Sequence, residues 1–590
     1  MPEKSTREQV LDALVAITLR ADKQDESSDN LETFVRPFDF GALSSINTQI
    51  IYGRNGTGKT HLLRAFCRFC ELNYPKQRVL PVYMDMRDLD LGPVLPSIGV
   101  DDLILRFYQR FVRSIVKNLD DFAKKTISSS FLKKLFKAEA AERQANIQKS
   151  IKNLEAMLNQ QIIEEKVDKY ARTVTLGKEA ASKLKAGFGV SASLSATKPP
   201  EAKVDSNMGA SAESGETLKE SLELVYGGLA VIDYAKIRGE LENIVGQCDA
   251  KGVIILVDEW SSVDVKIQPL LAEMIQKTLG DSKKVSLKLA ALKFYTRTSA
   301  SVDSGQPLGL QEGIDINILT DLDGLLNYDA DPASVADFLT WIAYKHAAVK
   351  LPALKAWSVK DFQDYLCAEV FENALTYMEL VRSSEGNPRD FLNVLSSCCA
   401  SNLKLGHKIS KKAATQAAVG HFTDSKIPTI KDDEPANKLL DNLFNLVMRN
   451  KCKLLLFSKR KAEGNPRILK LWHYRFIHLV CTEYPYLDPH GKVETYSVFS
   501  MDYGKLLSMK VHKEGEKLVN VTLQLTETLT GGPLSAVLIQ KLPALLKSSG
   551  LEGSLHSLVG KLIFKDLGAN QVNIDESGWL VSNCVADNLL

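Results

Sequence analysis

Residues 46–60 read Ile-Asn-Thr-Gln-Ile-Ile-Tyr-Gly-Arg-Asn-Gly-Thr-Gly-Lys-Thr, an apolar run that passes straight into G-x-x-x-x-G-K-T. Ile50, Ile51 and Tyr52 supply a strand, Gly53, Gly56 and Gly58 let the backbone fold round an anion, and His61-Leu62-Leu63-Arg64-Ala65-Phe66 opens a helix. Strand, glycine-rich turn and helix start in this order aim backbone N–H groups and a helix N-terminus at phosphate. The segment therefore predicts a nucleoside triphosphate site formed by Gly53, Asn55, Gly56, Thr57, Gly58, Lys59, Thr60 and His61. Lys59 is expected to bridge toward the β- and γ-phosphates, and the Thr60 hydroxyl to hold Mg²⁺.

At 590 residues the chain exceeds one hydrophobic core, so three or four domains are expected. Its nine cysteines are scattered and odd in number, which excludes a disulfide framework and predicts a reducing cytoplasm. Cys67 and Cys70 make a C-x-x-C on the helix after the loop, with no second pair to complete a zinc site; a buried helix face is the better reading. The start, Met-Pro-Glu-Lys-Ser-Thr-Arg-Glu, lacks the apolar core of a signal peptide. No stretch approaches the roughly 20 apolar residues of a spanning helix, so no membrane is expected.

Further strands are expected at Arg78–Met86, Val253–Val257, Val285–Tyr295 and Ile314–Leu319, with helices between most of them. Uninterrupted apolar runs of this kind belong to a parallel sheet buried on both faces. Phe34-Val35-Arg36-Pro37-Phe38 precedes the first strand, where it would line a base pocket. Residues 120–225 depart from the pattern. Ile147, Ile151, Leu154, Leu158 and Ile162 form a narrow seam on a polar helix, as in a coiled-coil hairpin, and 187–216 reads as a flexible connection. A solvated insertion and an arm for a protein partner both fit. Residues 330–425 read as a helical domain, and 436–512 alternate helix with short strands. An α+β tail with turn signals at Gly531-Gly532-Pro533 fills 513–590.

Asp258-Glu259 closes the run Val253–Val257, on a strand expected beside the phosphate-loop strand. There the first carboxylate would join the Mg²⁺ shell, and the second would polarise a water for in-line attack. The fourth strand ends in Thr296-Arg297-Thr298. A polar side chain at its tip would sit near that water; Arg297 would neutralise transition-state charge, or is a plain surface arginine. Glu385-Gly386-Asn387-Pro388-Arg389 starts a helix whose Arg389 would reach the phosphates, or pair with Asp390 or Glu385.

Phosphate loop, Asp-Glu strand, polar strand tip and a helical segment with Gly-Asn-Pro-Arg, in this order, resemble the AAA+ superfamily. The nearest resemblance is to its origin-recognition-type (ORC-like) branch, whose bacterial relatives include standalone ATPases of defence loci. It covers roughly residues 34–115, 235–425 and 436–512. It implies ATP and Mg²⁺ as cofactors, Lys59 and Thr60 on phosphate and metal, Asp258 as metal-shell acid and Glu259 as base. Thr296 falls near the first sensor position and Arg389 at the second. The fold implied is α/β: an AAA+ parallel sheet with helices on both faces over residues 1–330, a helical lid over 331–430, a winged-helix-like domain over 431–512 and a small α+β region over 513–590. The 120–225 insertion and the absence of a clear arginine-finger motif round Arg297 depart from the family pattern.

The winged-helix expectation places helices at Ala436–Val447 and Pro466–Val480, a strand at Lys453–Phe457, and two strands from Tyr484 to Met501 round the turn Asp488-Pro489-His490-Gly491. Between 451 and 480 stand Lys451, Lys453, Lys459, Arg460, Lys461, Arg467, Lys470 and Arg475 against one acid, Glu463, in a chain of net charge +2. Such a cluster is the footprint of phosphate-backbone binding, which makes Lys459, Arg460, Lys461, Arg467 and Lys470 candidate contacts to DNA or RNA. A solvated basic face, or an interface for an acidic protein, is the alternative. The leading expectation is a cytoplasmic, self-assembling ATPase that couples nucleotide state to nucleic acid, as in anti-phage defence. The rival is a STAND-like signalling NTPase that oligomerises on a protein trigger.

Overall fold

Each apolar run of the first half becomes a strand: β1 (Thr48–Tyr52), β2 (Val79–Asp85), β3 (Gly252–Asp258), β4 (Val285–Ala291) and β7 (Ile316–Asp321), in the spatial order β2-β3-β4-β1-β7. The structure is a computed structural model that describes residues 5–17, 29–36, 40–89, 100–129, 141–159, 232–301, 307–329, 331–402, 406–450, 454–487 and 493–508. They fall into two units: a sheet unit (Phe38–Tyr52 and Leu62–Thr320) and a second unit (Met1–Pro37, Gly53–His61 and Asp321–Leu590).

In the sheet unit β1, β4, β3 and β2 pair parallel, as their apolar runs require. Ile254 and Leu256 on one face are as buried as Val253, Ile255 and Val257 on the other. The Asp258-Glu259 strand does not neighbour the P-loop strand: β4 lies between them. All seven β4 residues are buried, so it belongs at the sheet's centre. It is also shorter than expected, because the Leu292 N–H donates to the Ser261 hydroxyl at 2.6 Å and a 3₁₀ turn follows at Lys293–Tyr295. Ser299–Ser301 (β5) and Pro307–Gly309 (β6) form a small hairpin beyond it.

The insertion is partly structural. Helices α1 (Lys59–Gln77), α2 (Val100–Ser129), α3 (residues 141–159), α4 (Tyr234–Gln247) and α5 (Gln268–Leu279) accompany the sheet. Ile147, Leu154 and Leu158 of α3 are fully buried in one cluster with Ile104, Tyr108 and Ile115 of α2, Ile237 of α4 and Val253 and Ile255 of β3. The apolar seam thus joins α3 to the sheet unit's core, each buried leucine contributing about 1.5–3 kcal/mol. Polar contacts fix its register: Gln109 donates to the Leu158 carbonyl, and Arg113 pairs with Glu155. Ile162 and the 187–216 connection lie outside the described residues.

The second unit opens with a helix, Thr6–Val15, started by a reciprocal Ser5–Glu8 capping box. Helices α6 (Pro332–Lys350), α7 (Ala374–Ser383), α8 (Pro388–Asn402) and α9 (Lys411–His421) form the expected helical segment. Then come α10 (Glu434–Asn450), β8 (Leu454–Ser458), α11 (Lys459–Gly464), α12 (Pro466–His473), β9 (Ile477–Leu487), β10 (Val493–Met501) and α13 (Tyr503–Ser508), with β10 antiparallel to both β8 and β9. This is winged-helix-like order, with two differences from expectation. An extra helix, α11, precedes α12, the two split by Asn465, which caps α12, and Pro466 at its first turn. And α12 stops at His473, because Arg475 adopts φ 65° and turns the chain, so Phe476 and Leu479 enter the following turn and strand. The turn 488–491 and the tail 513–590 lie outside the described residues.

Candidate nucleotide site

The phosphate loop takes the shape its glycines allow. Gly56 and Gly58 have φ of +95° and +96°, a left-handed region costly for any residue with a Cβ. Gly56 has a second reason: a Cβ there would stand 2.4 Å from the Asn387 side-chain oxygen and 2.8 Å from Arg389 Cβ. The lid and the loop therefore touch at the glycine itself.

Two loop carbonyls are engaged by donors from farther along the second unit. The Asn55 carbonyl accepts from Asn387 Nδ2 at 3.1 Å and from Arg475 at 3.0 Å. The Gly56 carbonyl accepts from the Arg389 N–H at 3.2 Å. Thr57 turns its hydroxyl to the Arg54 carbonyl at 2.9 Å, and Lys59 lays its ammonium on the Gly53 carbonyl at 2.5 Å and the Arg54 carbonyl at 3.3 Å. Gly-Asn-Pro-Arg builds the lid side of this contact. Asn387 caps α8 by accepting from the N–H groups of Arg389 and Asp390, and Pro388 occupies the first turn. Arg389 thus stands beside Gly56, while Asp390 turns the other way, to Arg475 and Lys426. His61 is held by the Thr33 hydroxyl at 3.2 Å and by the edge of the Phe34 ring. Thr60 is half-buried on the first turn of α1.

Within the sheet unit, β3 delivers Asp258, fully buried, at its C-terminal end. Its two oxygens accept from the Glu259 N–H and from the Tyr83 hydroxyl, each at 2.9 Å. An acceptor-only carboxylate oriented in this way suits the outer shell of a hydrated Mg²⁺. Among the described residues no three His, Cys, Asp or Glu side chains form a metal cage. Glu259 has φ 54°, a costly conformation for a residue with a Cβ and one that recurs at active sites. Burial and the neighbouring Asp258 push the Tyr83 hydroxyl up, keeping it a donor. Arg87 forks onto Asp85, the register partner of Asp258 on β2.

Thr296 and Arg297 are not at a strand tip. They lie beyond the 3₁₀ turn, where Thr296 bonds the Leu292 carbonyl at 2.7 Å and the Ser261 hydroxyl at 3.0 Å. Arg297 is exposed, its N–H held by Gln268. Ser261 and Tyr83 were not singled out from sequence; Tyr83 lies in β2 and reaches Asp258, and Ser261 lies in the short 3₁₀ turn Trp260–Ser262 that follows β3. Burial pushes the thiols of Cys67 and Cys70, on α1, up to about 12.

The basic cluster divides once folded. Lys459 pairs with Glu483, and Lys470 with Asp433 at 2.5 Å, both acids lying outside the 451–480 window. Arg475 is mostly buried on Asp390. Arg460, Lys461 and Arg467 are exposed on α11 and the first turn of α12. Lys451 and Lys453 lie outside the described residues. No described helix is long and apolar enough to cross a membrane.

Residues 19–195 match the family model described as ORC-CDC6-like, a span that holds the phosphate loop. No curated protein matches the chain. Among solved structures, a similar chain is the Aeropyrum pernix Orc1 protein, determined in complex with DNA; it is 11% identical, with 90% of this chain and 96% of that chain covered and a TM-score of 0.29.

Proposed function

We propose, for a chain that is ORC-CDC6-like over residues 19–195, that it binds and hydrolyses ATP with Mg²⁺ and couples nucleotide state to nucleic acid held by its winged-helix-like segment. One observation carries the reading: the phosphate loop is gripped by its carbonyls, at Asn55 and Gly56, by Asn387 and Arg389 of the lid. A loop held from its carbonyl side turns its amides to an anion. Lys59 would leave the loop carbonyls for the phosphates, Thr60 would ligate Mg²⁺, Arg389 would report the γ-phosphate to α8, and Asp258 and Glu259 would serve as metal-shell acid and base. Arg460, Lys461 and Arg467 would meet the nucleic-acid backbone, preferably DNA. ATP-dependent self-assembly and a setting in antiviral defence follow from the resemblance alone.

Two measurements test this. Lys59→Ala should abolish binding of a fluorescent ATP analogue. Glu259→Gln should retain binding and slow turnover by about 10²-fold or more, the usual contribution of a positioned base. Unchanged turnover would remove Glu259 from that role. Duplex affinity measured with and without ATP should differ in the wild type; equal affinity in both states would sink the coupling.

A further inference from the structure

Arg54, the second residue of the phosphate loop, belongs to a buried network that leaves the loop and returns to it. Its N–H and Nε donate to the two oxygens of Asp323, at 2.7 and 2.8 Å. Its terminal nitrogens reach the Ile477 carbonyl at 3.1 Å and His478 Nδ1 at 3.1 Å, at the first two residues of β9. His478 Nε2 lies 3.0 Å from Asp502; Asp502 meets Lys426 at 2.6 Å; Lys426 meets Asp390 at 3.2 Å. Asp390 is forked by Arg475 at 2.9 and 3.1 Å, and the remaining Arg475 nitrogen donates to the carbonyl of Asn55, next to Arg54. Three cations and three carboxylates balance, and His478 joins them.

A buried network of this kind costs desolvation that its attractions barely offset, so stability alone is a poor reason for it. What it fixes is position. Left-handed backbone at Arg475 aims the guanidinium back across the end of α12, and its fork spans one carboxylate and one loop carbonyl at once. Burial alone would raise the Asp390 carboxyl, but the Arg475 guanidinium and the Lys426 ammonium hold it well below the usual carboxylate range, so the ion pairs stay charged.

We propose that Arg475 is a positioning residue of the nucleotide site, holding the Asn55 carbonyl from the winged-helix-like segment and so setting the loop amides that face phosphate. This rests on the nucleotide reading above. It makes that segment part of the phosphate loop's support, and it gives nucleic acid bound there a route to nucleotide affinity. By linkage, nucleotide must then alter nucleic-acid affinity by the same factor.

The test uses the full chain, a fluorescent ATP analogue and thermal melting. Arg475→Lys keeps a charge on Asp390 but cannot span both partners. It should melt near the wild type, bind nucleotide about tenfold more weakly, and turn over normally at saturating ATP. The double variant Arg475→Gly/Asp390→Asn suits the left-handed backbone and removes the pair together; it should show the same weakened binding, and it decides the matter if the lysine variant fails to fold. Lys470→Gln, which breaks the α12 ion pair to Asp433 but touches no loop carbonyl, should leave nucleotide affinity unchanged. Wild-type affinity in the Arg475 variants would overturn the assignment, as would an equal loss in Lys470→Gln. If the wild type binds no nucleotide, the function proposed above fails first, and this inference with it.

Discussion

The two units are built on opposite terms. Residues 38–52 and 62–320 of the sheet unit contain no histidine, and their core is a continuous apolar cluster from β1, β2, β3 and β4 with α2, α3, α4 and α5. The six histidines among the described residues fall in the second unit, whose interior also holds Arg54, Arg382, Asp390, Lys426 and Asp502. Apolar packing is non-directional and tolerates small shifts; hydrogen-bonded ion pairs are directional and fail when one partner goes. The phosphate loop groups with the polar unit although the chain enters it from β1.

The sharpest way to break this contrast is by near-isosteric substitution. Asp390→Asn should destabilise almost as much as Asp390→Ala, by about 3–5 kcal/mol, because Arg475 is left buried without its counter-charge and Lys426 keeps only Asp502. In the sheet unit, Leu256→Ala should cost a comparable ~2–5 kcal/mol, yet Leu256→Met under ~1.5 kcal/mol. Denaturant melts would decide. A cheap Asp390→Asn would show that the network is not directional after all.

Acid should separate the units next. Burial lowers His346 to about 3, and burial with the nearby Arg475 and Lys59 charges lowers His473 to about 4. Their folded values lie below the ordinary value near 6.5, so the unfolded chain takes protons first and stability falls as pH drops from about 6.5 toward 4. Asp502, which burial would raise but Lys426 and His478 hold near 2, stays ionised there, and its contribution fades only below about pH 4. Amide exchange at pH 7 and pH 5 should therefore show protection lost round α6 and α12 and kept in β3. The sheet unit should respond at the other end. Burial lowers Lys288 to about 8, so stability there should rise with pH from about 8 to 10.5, and Lys288→Met should remove the slope. Equal acid sensitivity in β3 would undo the comparison.

What could be read in advance followed the same division. Strands and the phosphate loop were legible, since apolar runs and glycines act locally. The strand order was not: Asp258-Glu259 gives no sign in its own residues that β4 will stand between it and β1. The α3 seam was visible, but not that α3 would also pack against α4, 87 to 93 residues farther on. Arg475 was counted as surface charge because its carboxylate, Asp390, stands 85 residues earlier. Charge counted in a window cannot tell a paired cation from an exposed one.

That last point yields the smallest and most discriminating effect. If duplex DNA binds this segment, each backbone contact contributes about 0.9 to the slope of log affinity against log salt. Arg460→Gln and Arg467→Gln, at exposed positions, should each flatten the slope by about one such step. Lys459→Gln and Lys470→Gln should change it less, because Glu483 and Asp433 already hold those cations and must be displaced before phosphate can take them. Their loss should cost the free protein under about 1 kcal/mol, the range of exposed pairs. If all four changes flatten the slope equally, pairing in the free protein does not rank the contacts, and the uniform basic patch suggested by the sequence is the better description.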